Sequence, residues 1–504
     1  MRLCLILVLY VIIGNKKMIS KPGAFMNIRL TVTIIISKAI IKICRLANWG
    51  GTTLAGRVAL KLYPEIVKTI SHNVRLIMVT GTNGKTTTTR IIEQVLKENK
   101  IGYITNKSGA NLLSGIITTF IDNSDIKGIC IQSTALIEID EAAFKQACNH
   151  FEPDILVVTN FFRDQLDRYG ELYTTLKGVK AGIEKLNKTR LVLNADDSLC
   201  ASLGKDTSKQ VIYYGFDQNA HKGAEECINS DAMFCLYCKS RYIYNYHIYG
   251  HLGGFACENC GYSRPATHVA CTAVQQLTTS HSEIEFTAKG FNGLTGNDGI
   301  SSENPDGTHQ VFSAKIKLPG LYNIYNALAA AACGCLLDLP MEKIINALGS
   351  FECGFGRMET IKSDGKTIKV ILVKNPTGFN QVLNFLTTED KNAQLAFIIN
   401  DNAADGRDIS WLWDVDFEKL QDMQDRLDNI FTSGLRAEDM AVRLKYAGIF
   451  TNKISIVKDY KELIEAGLSA TREGHNFYIL PTYTAMLEIR KYLKSRFNLK
   501  EFWK

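Results

Sequence analysis

At 504 residues the chain is longer than a single hydrophobic core usually serves, so two or three domains are expected. With 22% charged and 46% apolar residues and no long Pro, Ser or Gln tract, the composition excludes wholesale disorder. The formal charge of +7 suits acidic or phosphorylated ligands and falls far short of the basic blocks of nucleic-acid tails. Fourteen cysteines are scattered along the chain, and four form two Cys-x-x-Cys pairs that read better as thiolate ligands than as disulfides. A reducing cytoplasm is the expected compartment.

In chain order, Leu3 to Gly14 is an apolar run of twelve residues, too short to span a bilayer as a helix and without a good cleavage site behind it. Residues 1–25 are expected to be a non-native extension, with Met18 or Met26 as the working start; a peripheral membrane contact is the alternative. Thr31 to Leu46, within a helical segment over 26–73, predicts an apolar, partly amphipathic helix carrying Lys38, Lys42 and Arg45, read as a packing helix rather than a membrane anchor. From Val74 strand-like and helical runs alternate, the pattern of a parallel sheet covered by helices. RLIMVTG (75–81), GICIQSTALIEI (128–139), DILVVTN (154–160) and RLVLNA (190–195) predict strands, and ligands of open α/β sheets gather at such strand ends. TRIIEQVLKENK (89–100) predicts a helix. A Cys- and Tyr-rich module at about 232–263 interrupts the first α/β unit (74–350), and Leu294 to Gln310 predicts an exposed loop. An Ala-rich helix is expected over Asn323 to Leu337, and alternation resumes in a second α/β unit over 351–504. No internal repeat is seen.

GTNGKTTTTR (81–90) follows a strand and opens a helix. Glycines there let backbone N–H groups turn inward around phosphate oxygens, and the helix N-terminus adds partial positive charge. Gly81, Thr82, Asn83, Gly84, Lys85, Thr86 and Thr87 are therefore the candidate ATP loop. Lys85 would meet the β- and γ-phosphates and the Thr86 hydroxyl would ligate Mg²⁺. The eight-residue form of the loop requires glycine at 79, where this chain has Val79, so the shorter form is present. Glu138 closes a strand where a carboxylate can hold that metal, although it could serve, with Asp140 and Glu141, only as a surface or helix-capping acid. Asn160, Asp164 and Asp167 lie at another strand end and read either as site residues or as a capped, solvent-facing helix.

Cys235-x2-Cys238 and Cys257-x2-Cys260, eighteen residues apart, have the spacing of a four-thiolate zinc ribbon, a closed and structural site. His247 and His251 are expected to be surface or packing residues.

GTNGKTT, NFFRDQLDRYG, NADD (194–197), LPGLYNIYNALAA (318–330) and FGRME (355–359) occur in an order that resembles the Mur ligase family. IEIDEAA, the paired cysteines, VKNPTGFN (373–380) and NDNAADGRDISWLWDVDFE (400–418) sharpen the resemblance to its MurT branch, the subunits of lipid II isoglutaminyl synthase. The resemblance implies an α/β fold: a Mur-ligase-type central P-loop ATPase domain with the zinc ribbon inserted, followed by a Rossmann-like C-terminal domain. It also implies an activity, in which ATP phosphorylates the α-carboxyl of D-Glu in the lipid II stem peptide and ammonia displaces the phosphate to give D-isoglutamine. By the same matching Thr86 and Glu138 serve the metal, Asn326 the adenine side, and Arg357 the phosphates or nucleotide. Gln165 stands where many amino-acid-adding relatives have His, and Ile371 where a ribose-holding Asp is common.

None of the cysteines lies in the Gly-x-Cys-x-Gly turn of a glutamine-hydrolysing nucleophile, so ammonia is expected from a glutaminase partner subunit. The resemblance implies that Asp408 completes that partner's Cys-His pair. The work is expected in the cytoplasm at the inner membrane face, with no nucleic acid as partner. The competing expectation is an amino-acid-adding ligase.

Overall fold

The computed structural model describes residues 27–47, 53–106, 110–164, 172–221, 231–278, 280–291, 310–352, 357–363, 365–387 and 391–499. The apolar run Leu3–Gly14, Gln165, Asp167 and most of the predicted loop Leu294–Gln310 lie outside them.

Three helices come first: α1 (Ile28–Leu46), α2 (Leu54–Leu62) and α3 (Ile66–Ile70). The first sheet follows, in which β1 (Arg75–Thr80) runs through the phosphate loop into α4 (Lys85–Glu98). Then come β2 (Ile104–Thr105), α5 (Leu113–Asp122), β3 (Thr134–Glu138), α6 (Glu141–Ala147), β4 (Ile155–Val158), α7 (Leu172–Ile183), β5 (Arg190–Asn194), α8 (Ser198–Ser202) and β6 (Val211–Phe216). The hairpin β7 (Ile243–Tyr249) and β8 (Leu252–Ala256) stands apart from the sheet. Strands β9 (Val269–Leu277), β10 (Ser282–Ala288) and β11 (Val311–Ile316), with helices α9 (Leu321–Leu336) and α10 (Met341–Ser350), complete the unit.

Its strand order is β11-β10-β9-β6-β5-β4-β1-β3-β2, parallel from β2 to β9 and antiparallel at the β10 and β11 edge. Strand β1 is buried on both faces because helices cover both. Ile77 and Val79 join one core with α4 and α9, while Leu76 and Met78 join the other with α1, α3 and α5. The alanines of α9 let it lie close against the sheet, and nearly the whole helix is buried. Strand β1 pairs with β3 on one side and β4 on the other, so the chain beyond Thr80 opens at a switch point of the sheet.

The second sheet has the order β12-β13-β17-β14-β15-β16, parallel except for the β12/β13 pair. Its strands are β12 (Arg357–Ser363), β13 (Lys366–Ile371), β14 (Ala393–Ile398), β15 (Leu427–Ser433), β16 (Ile454–Ile456) and β17 (Asn476–Pro481). Helices α11 (Pro376–Thr387), α12 (Ala437–Tyr446), α13 (Tyr460–Ala470) and α14 (Tyr483–Phe497) cover it. Among the described residues no helix is long and apolar enough to cross a membrane.

Two expected boundaries shift. The strand foreseen over 128–139 begins only at Thr134, because the Asp125 carboxylate accepts the N–H groups of Lys127 (2.8 Å) and Ile129 (2.9 Å) and bends the preceding segment into a turn. Helix α4 starts earlier than periodicity indicated, at Lys85, because Gly84 takes a left-handed conformation at its N-terminus.

Candidate functional site

The loop after β1 is held from behind rather than left to wander. Asn160, at the end of β4, accepts the Asn83 N–H on Oδ1 (2.9 Å), donates Nδ2 to the Asn83 carbonyl (3.1 Å), and accepts the Thr82 N–H on its own carbonyl (2.9 Å). The two glycines are needed for conformation and for space. Gly81 (φ +120°) would place a Cβ 2.3 Å from Thr159 Oγ1, and Gly84 (φ +84°) would place one 2.1 Å from Asn326 Oδ1.

Lys85 begins α4, and its ammonium donates to the Glu141 carboxylate (2.8 Å) and to the carbonyls of Gly81 (2.5 Å) and Thr82 (3.2 Å). Burial alone would lower its pKa. The Glu141 carboxylate, with Asp140 and Glu138 nearby, more than reverses this and keeps the ammonium protonated above the ordinary lysine range. The Thr86 hydroxyl donates to Glu138 Oε2 at 2.7 Å, so both expected metal-holding groups lie side by side. Glu138 is fixed in turn by Asn106, which accepts its N–H (2.9 Å) and donates to its carbonyl (2.7 Å).

These groups open into a cavity of about 450 Å³ between the two sheets. Thr82 to Thr87, Glu138 and Asn326 line it from the first; Ile371, Lys374, Asn375 and Asp405 line it from the second. Gly81 lies beneath the loop, where its carbonyl holds Lys85. Asn326, on α9, accepts the Thr88 hydroxyl (3.2 Å) and abuts Gly84, so it touches the loop itself. Arg357 opens β12, opposite Ile371, and its side chain lies outside the described residues. Asp408 is not brought to the cavity. Hydrogen bonds from the Ser410 side chain and from the Ser410 N–H (2.8 Å) hold its carboxyl below the usual range.

Three contacts escaped the sequence reading. Asp140, grouped with Glu141 as a capping acid, does cap α6 by accepting the Ala142 N–H (3.0 Å), but Glu141 is the ion-pair partner of Lys85. Asn375 donates to Asn83 Oδ1 (2.9 Å) and Lys374 pairs with Asp164 (2.6 Å), joining the second sheet to the loop and to the end of β4. The signal for these two was VKNPTGFN, which spacing alone gave no role.

The chemistry of the donor set fits a magnesium nucleotide: a glycine-lined loop at a helix N-terminus, one ammonium, and a hydroxyl beside a carboxylate. The four cysteines fit zinc. Their sulfurs all lie within 4.8 Å of one another, with Cys235–Cys260 at 3.5 Å and Cys238–Cys257 at 3.3 Å. Four thiolates around one ion with bonds of about 2.3 Å would sit about 3.8 Å apart. Two knuckles shape the cluster: Lys239 N–H to the Cys235 carbonyl (3.0 Å) and Gly261 N–H to the Cys257 carbonyl (2.9 Å), with both donors at positive φ.

The NADD segment ties this module down. Asp196 accepts Arg264 Nε and the Tyr325 hydroxyl, each at 2.6 Å, and Asp197 caps α8 and lies 3.2 Å from His251 Nε2. His251 is fully buried and His247 stacks on Tyr244, so both are packing residues.

The fold and the loop together define the class. A pseudomurein peptide ligase type C from Methanothermus fervidus superposes with a TM-score of 0.59 at 21% identity, covering 84% of this chain and 79% of that one. MurF from Acinetobacter baumannii superposes with a TM-score of 0.58 at 14% identity, covering 86% and 80%. Residues 79–260 match the Mur ligase middle domain and residues 372–486 the MurT ligase C-terminal domain. The fold is that of the Mur ligases.

Within that class the similarity is narrower. The lipid II isoglutaminyl synthase (glutamine-hydrolyzing) subunit MurT of Streptococcus pneumoniae (strain ATCC BAA-255 / R6) is 33% identical over 94% of this chain and 98% of its own. The subunit of the same name from Staphylococcus aureus (strain COL) is 32% identical over 93% and 99%. The chain belongs to the MurT family. A 2,6-diaminopimelate-adding ligase of Bacillus velezensis (strain DSM 23117 / BGSC 10A6 / LMG 26770 / FZB42) is 25% identical over 65% of this chain and 57% of its own.

Proposed function

We propose that this chain is the ligase subunit of a glutamine-dependent synthase that amidates the α-carboxyl of D-Glu in the lipid II stem peptide. The observation that carries the reading is one cavity into which the glycine loop, Lys85 and the Thr86–Glu138 pair all open. An ionised carboxylate is a poor electrophile, whereas its acyl phosphate has a good leaving group. ATP supplies the phosphoryl group, and its transfer to the carboxylate releases ADP. Ammonia then attacks the carbonyl carbon, phosphate leaves, and a proton is lost from nitrogen to give the amide.

In this reading the main-chain N–H groups of Gly84 to Thr87 and the Lys85 ammonium hold the phosphates and stabilise charge in transfer, while those of Thr82 and Asn83 are bound by Asn160. Thr86 and Glu138 hold Mg²⁺, which neutralises phosphate charge when bound. Asn326, which braces the loop at Gly84 and Thr88, serves the adenine side, and Arg357 reaches the phosphates or nucleotide from beyond the linker. The cysteines bind a structural zinc. The working units are residues 26–73, 74–350 and 351–504. A glutaminase subunit supplies ammonia, Asp408 orients its histidine, and the complex works at the cytoplasmic face of the membrane.

The test is incubation of the chain with ATP, lipid II and either ammonium or free amino acids, followed by mass analysis of the stem peptide. Conversion of one hydroxyl to an amine with ammonium, restored with glutamine only when a glutaminase subunit is added, is expected. Incorporation of an amino acid instead would make the chain an amino-acid-adding ligase.

A further inference from the structure

Helix α1 is apolar on two faces, and among the described residues only one of them is buried in the fold. Leu30, Ile34, Ile41 and Cys44 are buried in the core beside α3 and α5. On the opposite side Ile28, Val32, Ile35, Ala39, Ile43 and Leu46 recur every three or four residues and so form one continuous stripe along the helix. Ile28, Ile35, Ile43 and Leu46 are 55%, 50%, 61% and 77% exposed, and Lys42 stands exposed among them. The turn before β3 lies beside this helix, with Gly128 against Leu30 and Ile34, and it adds Ile126, Ile129 and Ile131, each at least half exposed. An isolated exposed isoleucine is ordinary, but an ordered row of them is not.

The charge around the stripe selects what covers it. The 19 residues of α1 hold Arg29, Lys38, Lys42 and Arg45 and no acid; Arg45 pairs with Asp122 (2.6 Å) and Lys38 donates to the Asp122 and Ser124 carbonyls, so Lys42 is the cation that stands on the outward side. The bias is wider than the helix: residues 1–64 contain ten Lys and Arg and no Asp or Glu, which exceeds the whole chain's +7 and leaves the remainder slightly acidic. A second copy of the chain would set like charges against each other. The apolar run Leu3–Gly14 carries no acid to meet Lys42. An anionic bilayer surface offers an apolar layer for the isoleucines and phosphate groups for the cations.

We propose that the outward stripe of α1, flanked by Lys42 and the Ile126–Ile131 turn, docks the protein on an anionic phospholipid surface, with the helix lying in the interface plane. A lipid-linked acceptor gives such a contact a use. The inference nevertheless rests on this surface and is read without turnover, so its failure leaves the amidation reading untouched.

The experiment is flotation of the full chain with vesicles of phosphatidylcholine, alone or with about a third phosphatidylglycerol. Wild type should float with the anionic vesicles, and less as salt is raised. The exposed-face variant Ile35→Asn/Ile43→Asn/Leu46→Asn should bind at least about tenfold more weakly, since several apolar side chains leave the interface. Lys42→Glu, which removes no packing, should weaken binding by about tenfold through charge alone. Both should keep the wild-type thermal midpoint. Three results would each overturn the proposal: no flotation of the wild type, undiminished flotation of both variants, or a wild-type dimer that these substitutions dissociate.

Discussion

As the proposed phosphate-holding cation, Lys85 faces two requirements, to remain an ammonium inside the protein and to be available to a phosphate. Glu141 meets the first, and the loop that leaves Lys85 lining the cavity meets the second. Lys85→Ala should reduce acceptor-dependent ATP consumption by at least about a thousandfold. It should also destabilise the fold by about 3 kcal/mol, because Glu141 is left buried without its cation; turnover and thermal melts of the same variant check both. The sign of the pH effect follows from the raised lysine pKa. The contribution of the lysine is complete below its unfolded value of about 10.4 and is lost only as pH rises through the higher folded value. Melting points between neutral pH and about 9 should therefore show no loss traceable to Lys85. At Gly84, an alanine must adopt φ +84° and push its Cβ against Asn326. Gly84→Ala should cost about 1–3 kcal/mol, and adding Asn326→Ala should recover only the steric part, as denaturant midpoints of single and double variants would reveal. The loop glycines and lysine were legible because phosphate binding restricts residue type at fixed spacing. Glu141 was not, since one acid among three beside a strand end carries no mark of the lysine it meets across the sheet.

Elements were legible where burial on both faces made them continuous. The β1 segment RLIMVT and the alanine-rich α9 stand in the sequence as they do in the fold. The strand foreseen from 128 was misjudged because Ile129 and Ile131, which look like core residues, lie exposed in a turn imposed by the Asp125 carboxylate. The cysteine module was legible as a cluster of four thiols, but not its anchorage, because NADD gives no hint that its acids receive Arg264 and Tyr325 from later in the chain. The module should hold about one zinc per chain. Cys238→Ser or a strong chelator should release it and lower the thermal midpoint, with metal analysis by mass spectrometry as the check; an unchanged midpoint with full metal loss would remove its structural role.

At the scale of the whole molecule, the cavity exists only because two sheets meet, and few side chains make that meeting specific. Asn375 reaches Asn83 and Lys374 reaches Asp164 across 200 residues or more of sequence, which no local pattern announces. The paired substitution Lys374→Ala/Asn375→Ala should leave each sheet intact yet lower turnover by about tenfold to a hundredfold, because a misplaced loop is costly in a phosphoryl transfer. Steady-state rates beside an unchanged melting profile would show this. The proposed chemistry requires that the acceptor's own carboxylate be phosphorylated. The decisive measurement is amidation of an acceptor whose D-Glu α-carboxyl carries heavy oxygen, with mass analysis of the phosphate released. An acyl phosphate requires one heavy oxygen to pass into that phosphate for each amide formed; amide formation with unlabelled phosphate would contradict the account.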